Sequence, residues 1–343
     1  MSRRSQRFRS GAALLSTLMV SALTISCGNE SASVSHPRPT SVRNEVTSSQ
    51  AQSTIAAYDD ENNRVNRDLD LDGVAGIETA PLRTSSEAWM KVSRQLKSKV
   101  PAIRSTRPTF ITPTVTSGQR WFLAICQRVR GGVPSPQPTF SIFVENANHS
   151  SFLAAYSLTP VTHEEMPSFA QGADGHALAV TAGAGLAIAP SVLNRVITDH
   201  YAKHRKGEDG LAFSESLDNQ LGAGFRLGVE GLGKQGVQLS RTLDEKSRFP
   251  RYAVRTSDGG ALVFSSAIVK DSLRSTTGSG VVKLRRGGND AALLGRPEGA
   301  SSHAFHIERL QLFMTYVPSA KSGKKAKLLA FSETAISVTP EQS

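Results

Sequence analysis

The sequence predicts an α+β fold of two tandem units, each a curved antiparallel sheet with helices packed on one face. Two observations lead to this prediction. A helical pattern followed by a series of strand-like runs occurs twice along the chain. The last run of each half is also similar, with FLAAYS at residues 152–157 and LLAFS at residues 328–332. We therefore assign residues 47–168 to a first domain and residues 175–340 to a second.

The first half begins with two predicted helices. Tyr58 and Val65 lie near one face of the first helix, and Trp89, Val92 and Leu96 follow a helical spacing in the second. Strand-like runs come next, at residues 109–115, 120–129, 140–146 and 152–158.

Cys126 ends the run WFLAIC at residues 121–126, which is apolar on both alternating faces. This pattern predicts a buried central strand in which the thiol acts as a small hydrophobic filler. A catalytic thiolate is disfavoured because apolar burial raises the pKa of a thiol.

The second half repeats the order of helix and strands. We predict a helix over residues 191–204, opened by Pro190, and then a flexible glycine-rich loop over residues 222–236. Two hairpins complete the half. Their strands are residues 251–255 with 261–267, and residues 305–317 with 327–338. The uncharged stretch 175–194 contains Gly183, Gly185 and Pro190, so we predict short elements there instead of a membrane span.

The N-terminus has the pattern of a secretory signal. Arginines at positions 3, 4, 7 and 9 precede an uncharged run over residues 11–26, and Ser26 is followed by Cys27. This pattern predicts a lipoprotein signal peptide at residues 1–26 and a flexible tether at residues 27–46. Diacylglycerol on Cys27 would then hold the chain on the outer face of the cell membrane. The alternative is an ordinary cleaved signal with an incidental cysteine.

The chain is basic, with a formal net charge of +11. Much of the charge is concentrated at residues 203–206, 283–286 and 324–327. Such clusters are typical of solvated turns and helix ends, and they also favour anionic lipid heads or an anionic envelope polymer as partners. We exclude nucleic acid as a partner, because no basic stretch is interleaved with stacking aromatic residues.

Several short segments resemble a group of actinobacterial secreted lipoproteins that carry a domain of uncharacterised function. They are IAAY at residues 55–58, IETAPL at 77–82, AIAP at 187–190 and GGALVF at 259–264. The resemblance implies a surface lipoprotein and no catalytic residues. In their order of elements the two halves are also similar to cystatin-like or NTF2-like folds, which is an analogy only.

Asp68, Asp70 and Asp72 form the metal candidate of the chain. Alternating carboxylates followed by Gly73 are how a calcium-binding EF-hand loop begins. The twelfth position of that loop needs a glutamate, but it is Thr79 here. We therefore favour an acidic helix end followed by a turn, and we expect no metal and no cofactor.

Other motif matches lack the context that their chemistry requires. The GLGKQG run at residues 231–236 fits a dinucleotide-binding pattern, but no clear strand precedes it. Ser322 and Lys325 have serine–lysine spacing within a lysine-rich loop. His303 and His306 would lie on opposite faces of a strand. We therefore predict no catalytic and no cofactor-binding residues.

The sequence thus predicts a membrane-anchored extracytoplasmic lipoprotein with a non-enzymatic binding or adaptor role in the cell envelope. We expect an envelope protein or an anionic envelope polymer as its partner. A ligand site is expected in the groove between the domains or on a concave sheet face. The alternatives are an envelope hydrolase of glycan or peptide with dispersed catalytic residues, and a structural spacer.

Overall fold

The computed structural model describes residues 45–115, 118–148, 150–161, 167–180, 183, 185–203, 210–245 and 249–341. The predicted signal peptide, Ser26, Cys27 and the tether as far as residue 44 lie outside these residues.

The described helices lie in three groups along the chain. They are α1 (Ser48–Asp68), α2 (Leu71–Ile77), α3 (Leu82–Leu96), α4 (Leu193–Ala202), α5 (Glu215–Leu217), α6 (Gly224–Lys234) and α7 (Asn289–Leu293). A π-helical turn, Asp218–Ala223, joins α5 to α6, and a 3₁₀ turn covers Ala320–Ser322.

The strands of the first half are β1 (Ile103–Ile111), β2 (Pro113–Thr114), β3 (Trp121–Arg130), β4 (Val133–Pro134), β5 (Thr139–Glu145), β6 (Phe152–Leu158) and β7 (Ala177–Leu178). Those of the second half are β8 (Leu211–Phe213), β9 (Val237–Leu243), β10 (Tyr252–Arg255), β11 (Ala261–Ser275), β12 (Val282–Leu284), β13 (Ala300–Ser302), β14 (Ala304–Val317) and β15 (Ala326–Pro340).

The first helix has clear start and stop signals. The Thr47 side chain accepts a hydrogen bond from the Gln50 backbone, and the Gln50 side chain accepts one from the Thr47 backbone. This reciprocal capping box satisfies two backbone groups that a helix start leaves unpaired. The helix ends at Leu69, whose backbone is left-handed.

The first sheet is antiparallel, in the order β1–β3–β5–β6, and β4 pairs with the end of β3. Helices α1, α2 and α3 pack against its strands. Cys126 lies on β3, a central strand, and only 3% of its surface is exposed. Burial raises the pKa of its thiol to about 11. The prediction of a buried central strand is therefore confirmed.

The second sheet has the order β10–β11–β14–β15–β8, and β9 pairs with the C-terminal half of β11. Strand β8 runs parallel to β15, whereas the other pairings are antiparallel. Successive residues of β11 and β14 point to opposite faces of the sheet and pack in different hydrophobic cores. Leu262 and Leu312 pack in a core that also contains the first sheet, and Val263 and Phe313 pack beneath α4. Burial of both faces explains why these strands read as continuous apolar runs.

The two halves of the chain meet in one hydrophobic core. It contains Phe122 and Phe143 of the first sheet together with Phe264 of the second. The Tyr156 hydroxyl on β6 donates a hydrogen bond to the Pro250 carbonyl at 2.7 Å. The predicted boundary between residues 168 and 175 stays a prediction.

The predicted α+β class with antiparallel sheets is confirmed, and the sheets are open. The analogy with cystatin-like and NTF2-like folds stays a prediction. Among the described helices, none combines the length and the apolar character that a membrane span requires.

One prediction of secondary structure is wrong. Residues 222–236 were expected to form a flexible loop, but residues 218–223 form a π-helix and residues 224–234 form α6. A glycine costs about 1 kcal/mol in a helix relative to alanine. Phe225, Val229 and Leu232 nevertheless follow the i, i+4, i+7 spacing of one helix face, and this amphipathic pattern outweighs the glycine content.

Candidate functional site

Helix α6 lies on the outside of the second sheet, against β9. None of its residues is fully buried, although the helix is amphipathic. A cleft lies between α6, α4 and β9.

The cleft has a volume of about 640 Å³, which is within the usual range for small-molecule sites. Its apolar lining comes from all three elements. These residues are Ala202 of α4, Phe225 and Val229 of α6, and Leu239 and Leu243 of β9. The cleft can therefore receive the apolar part of a ligand.

Charged side chains at the rim of the cleft form ion pairs. Lys203 Nζ lies 2.8 Å from Asp199 Oδ1. Arg195 Nη2 lies 3.1 Å from Glu245 Oε1. Both pairs are substantially exposed, so they add little to stability. Their effect is to balance the charge around the opening.

A buried charge network centred on Asp271 lies beside the cleft, and its member Arg241 lines the cleft itself. Arg241 donates two hydrogen bonds to this carboxylate, from Nε to Oδ1 at 2.6 Å and from Nη2 to Oδ2 at 2.7 Å. Arg309 Nε donates to Asp271 Oδ2 at 2.8 Å. Arg241 Nη1 also donates to Glu333 Oε2 at 3.1 Å. Paired, bidentate geometry of this kind is what makes a buried carboxylate tolerable.

Neighbouring polar groups complete the network. Arg309 Nη2 donates to Asp290 Oδ2 at 3.0 Å, and Gln311 Nε2 donates to Glu333 Oε2 at 2.6 Å. Burial alone would lower the pKa of each arginine, but the surrounding carboxylates raise the pKa of both Arg241 and Arg309 above the ordinary value. Both guanidiniums therefore act as fixed charges and not as proton donors.

Phe225 divides the space beneath α6. Its ring lies over the Arg241 guanidinium, 4.9 Å from ring centroid to Cζ, which is within the range of a cation–π contact. A second cavity of about 390 Å³ lies on the other side, and Phe225, Leu239 and Arg241 line both cavities.

The π-helix before α6 was not predicted from the sequence. Such turns are rare in proteins overall, but those that occur are often at functional sites. Ser214 caps the short helix α5, where its hydroxyl accepts a hydrogen bond from the Leu217 backbone. Leu217 and Leu221 are buried beneath α4. The spacing of Phe225, Val229 and Leu232 was the signal that could have revealed a helix here.

A family model described as a domain of unknown function, DUF8094, matches residues 42–339. The chain belongs to the DUF8094 family. The comparison with curated proteins gave no match, and the comparison with solved structures gave none either. The DUF8094 domain contains both sheets and the cleft beneath α6. The resemblance to proteins with an uncharacterised domain is confirmed at this level, whereas lipoprotein character and actinobacterial origin stay predictions.

In the DUF8094 domain the acidic triplet has structural contacts. Asp70 is the N-cap of α2, and its Oδ1 accepts a hydrogen bond from the Gly73 backbone at 3.0 Å. Its Oδ2 lies 2.9 Å from Arg64 Nη2. Asp68 pairs with Arg67 at 3.0 Å. Within the described residues no group of three His, Cys, Asp or Glu side chains could hold a metal ion.

The remaining motif matches do not converge on the cleft. The run 231–236 lies at the end of α6, and Ser322 lies in a 3₁₀ turn where its hydroxyl donates to the Ser319 carbonyl at 2.7 Å. His303 is close enough to hydrogen-bond the Gly280 carbonyl, at 3.2 Å, and His306 pairs across the sheet with Thr339. Leu232 of the run 231–236 lines the second cavity beneath α6, whereas Ser322, His303 and His306 line neither cavity.

A cleft of about 1150 Å³ also lies between the two predicted domains, where a groove was expected to bind ligand. Its lining includes Trp121, Asp174 and Tyr252. The Trp121 and Tyr252 rings lie 5.3 Å apart, and Trp121 is buried. Their aromatic surface is used to join the two sheets. A ligand site there stays a prediction, and the cleft beneath α6 is the stronger candidate.

Proposed function

We propose that this DUF8094 protein is a lipoprotein anchored on the outer face of the cell membrane. In this proposal it binds a ligand in the cleft beneath α6 without catalysing a reaction. The observation that supports binding is the position of α6, an amphipathic helix with no buried residue above an apolar cleft of about 640 Å³. A helix of this kind leaves apolar surface uncovered unless something occupies the space.

The membrane anchor is supported by the sequence alone. Four arginines, an uncharged run and the Ser26–Cys27 pair form a lipoprotein signal. We propose diacylglycerol on Cys27, and membership of the actinobacterial secreted lipoproteins that the chain resembles. Growth of expressing cells with an alkyne-labelled palmitate tests the anchor. Label should appear on the wild-type chain and be lost in Cys27→Ala. An unlabelled chain that retains residues 1–26 would contradict the proposal.

A basic surface supports a second contact with the envelope. Lys283 is exposed on β12, Arg285 and Arg286 are exposed on the turn that follows it, and Lys324 is exposed on another loop. We propose that these residues attract anionic lipid heads, an anionic envelope polymer or an acidic envelope protein. Long-range attraction of this type weakens as salt screens the charges. Co-sedimentation with envelope fragments should therefore decrease steeply as the salt concentration rises.

Paired charges support binding over catalysis at the cleft. Arg241, which lines the cleft, and Arg309, which lies beside it, are both held by carboxylates and remain protonated. Catalytic acids and bases instead need a pKa near the operating pH. Arg241 therefore provides a fixed charged surface that orients a ligand.

Native mass spectrometry of the chain purified from its own envelope tests the binding proposal. The wild-type chain should carry an additional mass that denaturation releases. Val229→Arg places a charge in the apolar cleft and should abolish that mass. Leu227→Arg is the matched control, because Leu227 is on the same helix, is 67% exposed and does not line the cleft. An unliganded wild-type chain, or equal loading of both variants, would contradict the proposal.

A further inference from the structure

Two oxygen atoms on α4 are buried without a hydrogen-bond partner among the described residues. They are Asn194 Oδ1 and Thr198 Oγ1. The two residues are four apart, so they share one face of the helix. The Asn194 amide is held in place because its Nδ2 donates to the Ser266 carbonyl at 2.6 Å. The two residues lie at neighbouring openings beside α4. Thr198 lines the cleft, and Asn194 lines a smaller recess.

A buried polar atom without a partner costs free energy, so each unpaired oxygen marks a place where a hydrogen-bonding group is missing. An amide oxygen only accepts hydrogen bonds, whereas a hydroxyl can donate or accept. The amide oxygen of Asn194 can therefore be satisfied by a hydrogen-bond donor such as a ligand hydroxyl. Thr198 can bond either to a hydroxyl or to a carbonyl oxygen.

The recess is small, polar and balanced in charge. It has a volume of about 80 Å³ and adjoins the cleft, since Arg195, Leu243 and Glu245 line both. Its formal charges are two arginines, Arg195 and Arg251, and two carboxylates, Asp244 and Glu245. Arg195 pairs with Glu245. Lys270 lies 3.0 Å from Asp244 and 3.6 Å from Glu308, so the nearby charges also balance. A head group that enters the recess needs no net charge.

From these observations we infer that the ligand is a neutral acyl lipid with a hydroxyl-bearing head group. The inference rests on the proposed function and names its ligand class. The acyl chain lies in the apolar cleft against Val229, Leu239 and Leu243. The head group lies in the recess, where its hydroxyl donates to Asn194 Oδ1 and an ester or hydroxyl oxygen accepts from Thr198.

Three single-chain lipids with the same chain test the head group. They are monolauroylglycerol, laurate and dodecyl phosphate, titrated into the mature chain carrying Cys27→Ser so that no detergent competes. Monolauroylglycerol should bind at least tenfold more tightly than the two anions. Tighter binding of laurate or dodecyl phosphate would overturn the inference, as would the absence of binding by all three.

Two substitutions test the placement. Thr198→Val keeps the shape but removes the hydroxyl, so it should weaken monolauroylglycerol binding by about five- to tenfold, the worth of one hydrogen bond. It should leave the melting temperature of the free chain equal or higher, because an unpaired polar atom has been removed. Val229→Arg should abolish binding, and Leu227→Arg should bind normally. Unchanged binding by Thr198→Val and Val229→Arg would overturn the placement.

Failure of this inference can be separated from failure of the proposed function. A chain purified from its envelope with a ligand of different chemistry would disprove the neutral lipid and leave the binding role intact. A chain that carries no ligand and binds none of the three lipids would disprove both.

Discussion

Glu78 provides the sharpest test of how the first half of the chain is packed. Its carboxyl group is 3% exposed, and Oε1 accepts a hydrogen bond from the Tyr58 hydroxyl at 2.9 Å. Burial raises the pKa of Glu78 from 4.5 to about 7. The hydrogen bond from Tyr58 acts in the opposite direction but offsets only part of this rise.

The raised pKa makes stability depend on pH. The folded chain holds the Glu78 proton more tightly than the unfolded chain does. The protonated carboxyl group therefore makes its full contribution to the free energy of unfolding below the unfolded pKa near 4.5. This contribution is lost as the pH rises through about 7. A shift of this size corresponds to about 3 kcal/mol. Glu78→Gln cannot ionise and should lack this dependence.

Urea unfolding at pH 5 and at pH 8 measures the effect. Relative to wild type, Glu78→Gln should gain about 2–3 kcal/mol in free energy of unfolding between pH 5 and pH 8. Asp60→Asn is the matched control, because Asp60 is an exposed carboxylate on the neighbouring helix α1, and it should gain nothing. A pH dependence equal in wild type and Glu78→Gln would refute the buried, protonated carboxyl group.

Two further predictions concern the surroundings of the cleft, and a third concerns Cys126 in the first sheet. Asp271→Asn should lower the free energy of unfolding in urea by about 3–5 kcal/mol, because it leaves two guanidiniums without their shared carboxylate. The control Glu87→Gln, from an exposed ion pair, should lower it by less than about 1 kcal/mol. Equal losses for the two variants would show that the network is not buried. Gly231→Ala and Gly233→Ala should each stabilise the chain by about 0.5–1 kcal/mol, since a Cβ at either position meets open space; a lower melting temperature would contradict the helical assignment. With Cys27→Ser in place, a thiol reagent at pH 8 should modify Cys126 only as fast as the chain unfolds, and rapid labelling would contradict its burial.

The secondary structure could be predicted from the sequence wherever burial gives the apolar residues a clear periodicity. The strands around Cys126 and the two hairpins of the second half were predicted because both faces, or alternating residues, are apolar. The predicted helix over residues 191–204 corresponds to α4, at Leu193–Ala202. Local patterns of this kind report local structure directly.

Residues 218–234 were harder to predict with the same rules, although the spacing of Phe225, Val229 and Leu232 indicates the helix α6. Their glycines indicated a loop, and a π-helix has no sequence signal of its own. The packing of Leu217 and Leu221 beneath α4 is a tertiary effect, and it holds the segment in place. Tertiary contacts of this kind override intrinsic propensity.

The candidate site also could not be predicted from the spacing of residues along the sequence. Arg241, Asp271, Arg309 and Glu333 come from four different strands, β9, β11, β14 and β15, and are brought together by the register of the sheet. No short motif contains two of them. The acidic triplet beginning at Asp68, in contrast, was visible in the sequence but serves to end one helix and to cap the next.

Hydrogen exchange of residues 218–234 with and without monolauroylglycerol is the most direct test of the central claim that the space beneath α6 is a ligand site. Bound ligand should slow exchange of these amides by at least tenfold and leave β3 and β5 of the first sheet unchanged. Equal exchange of residues 218–234 in the presence of saturating lipid would contradict the claim.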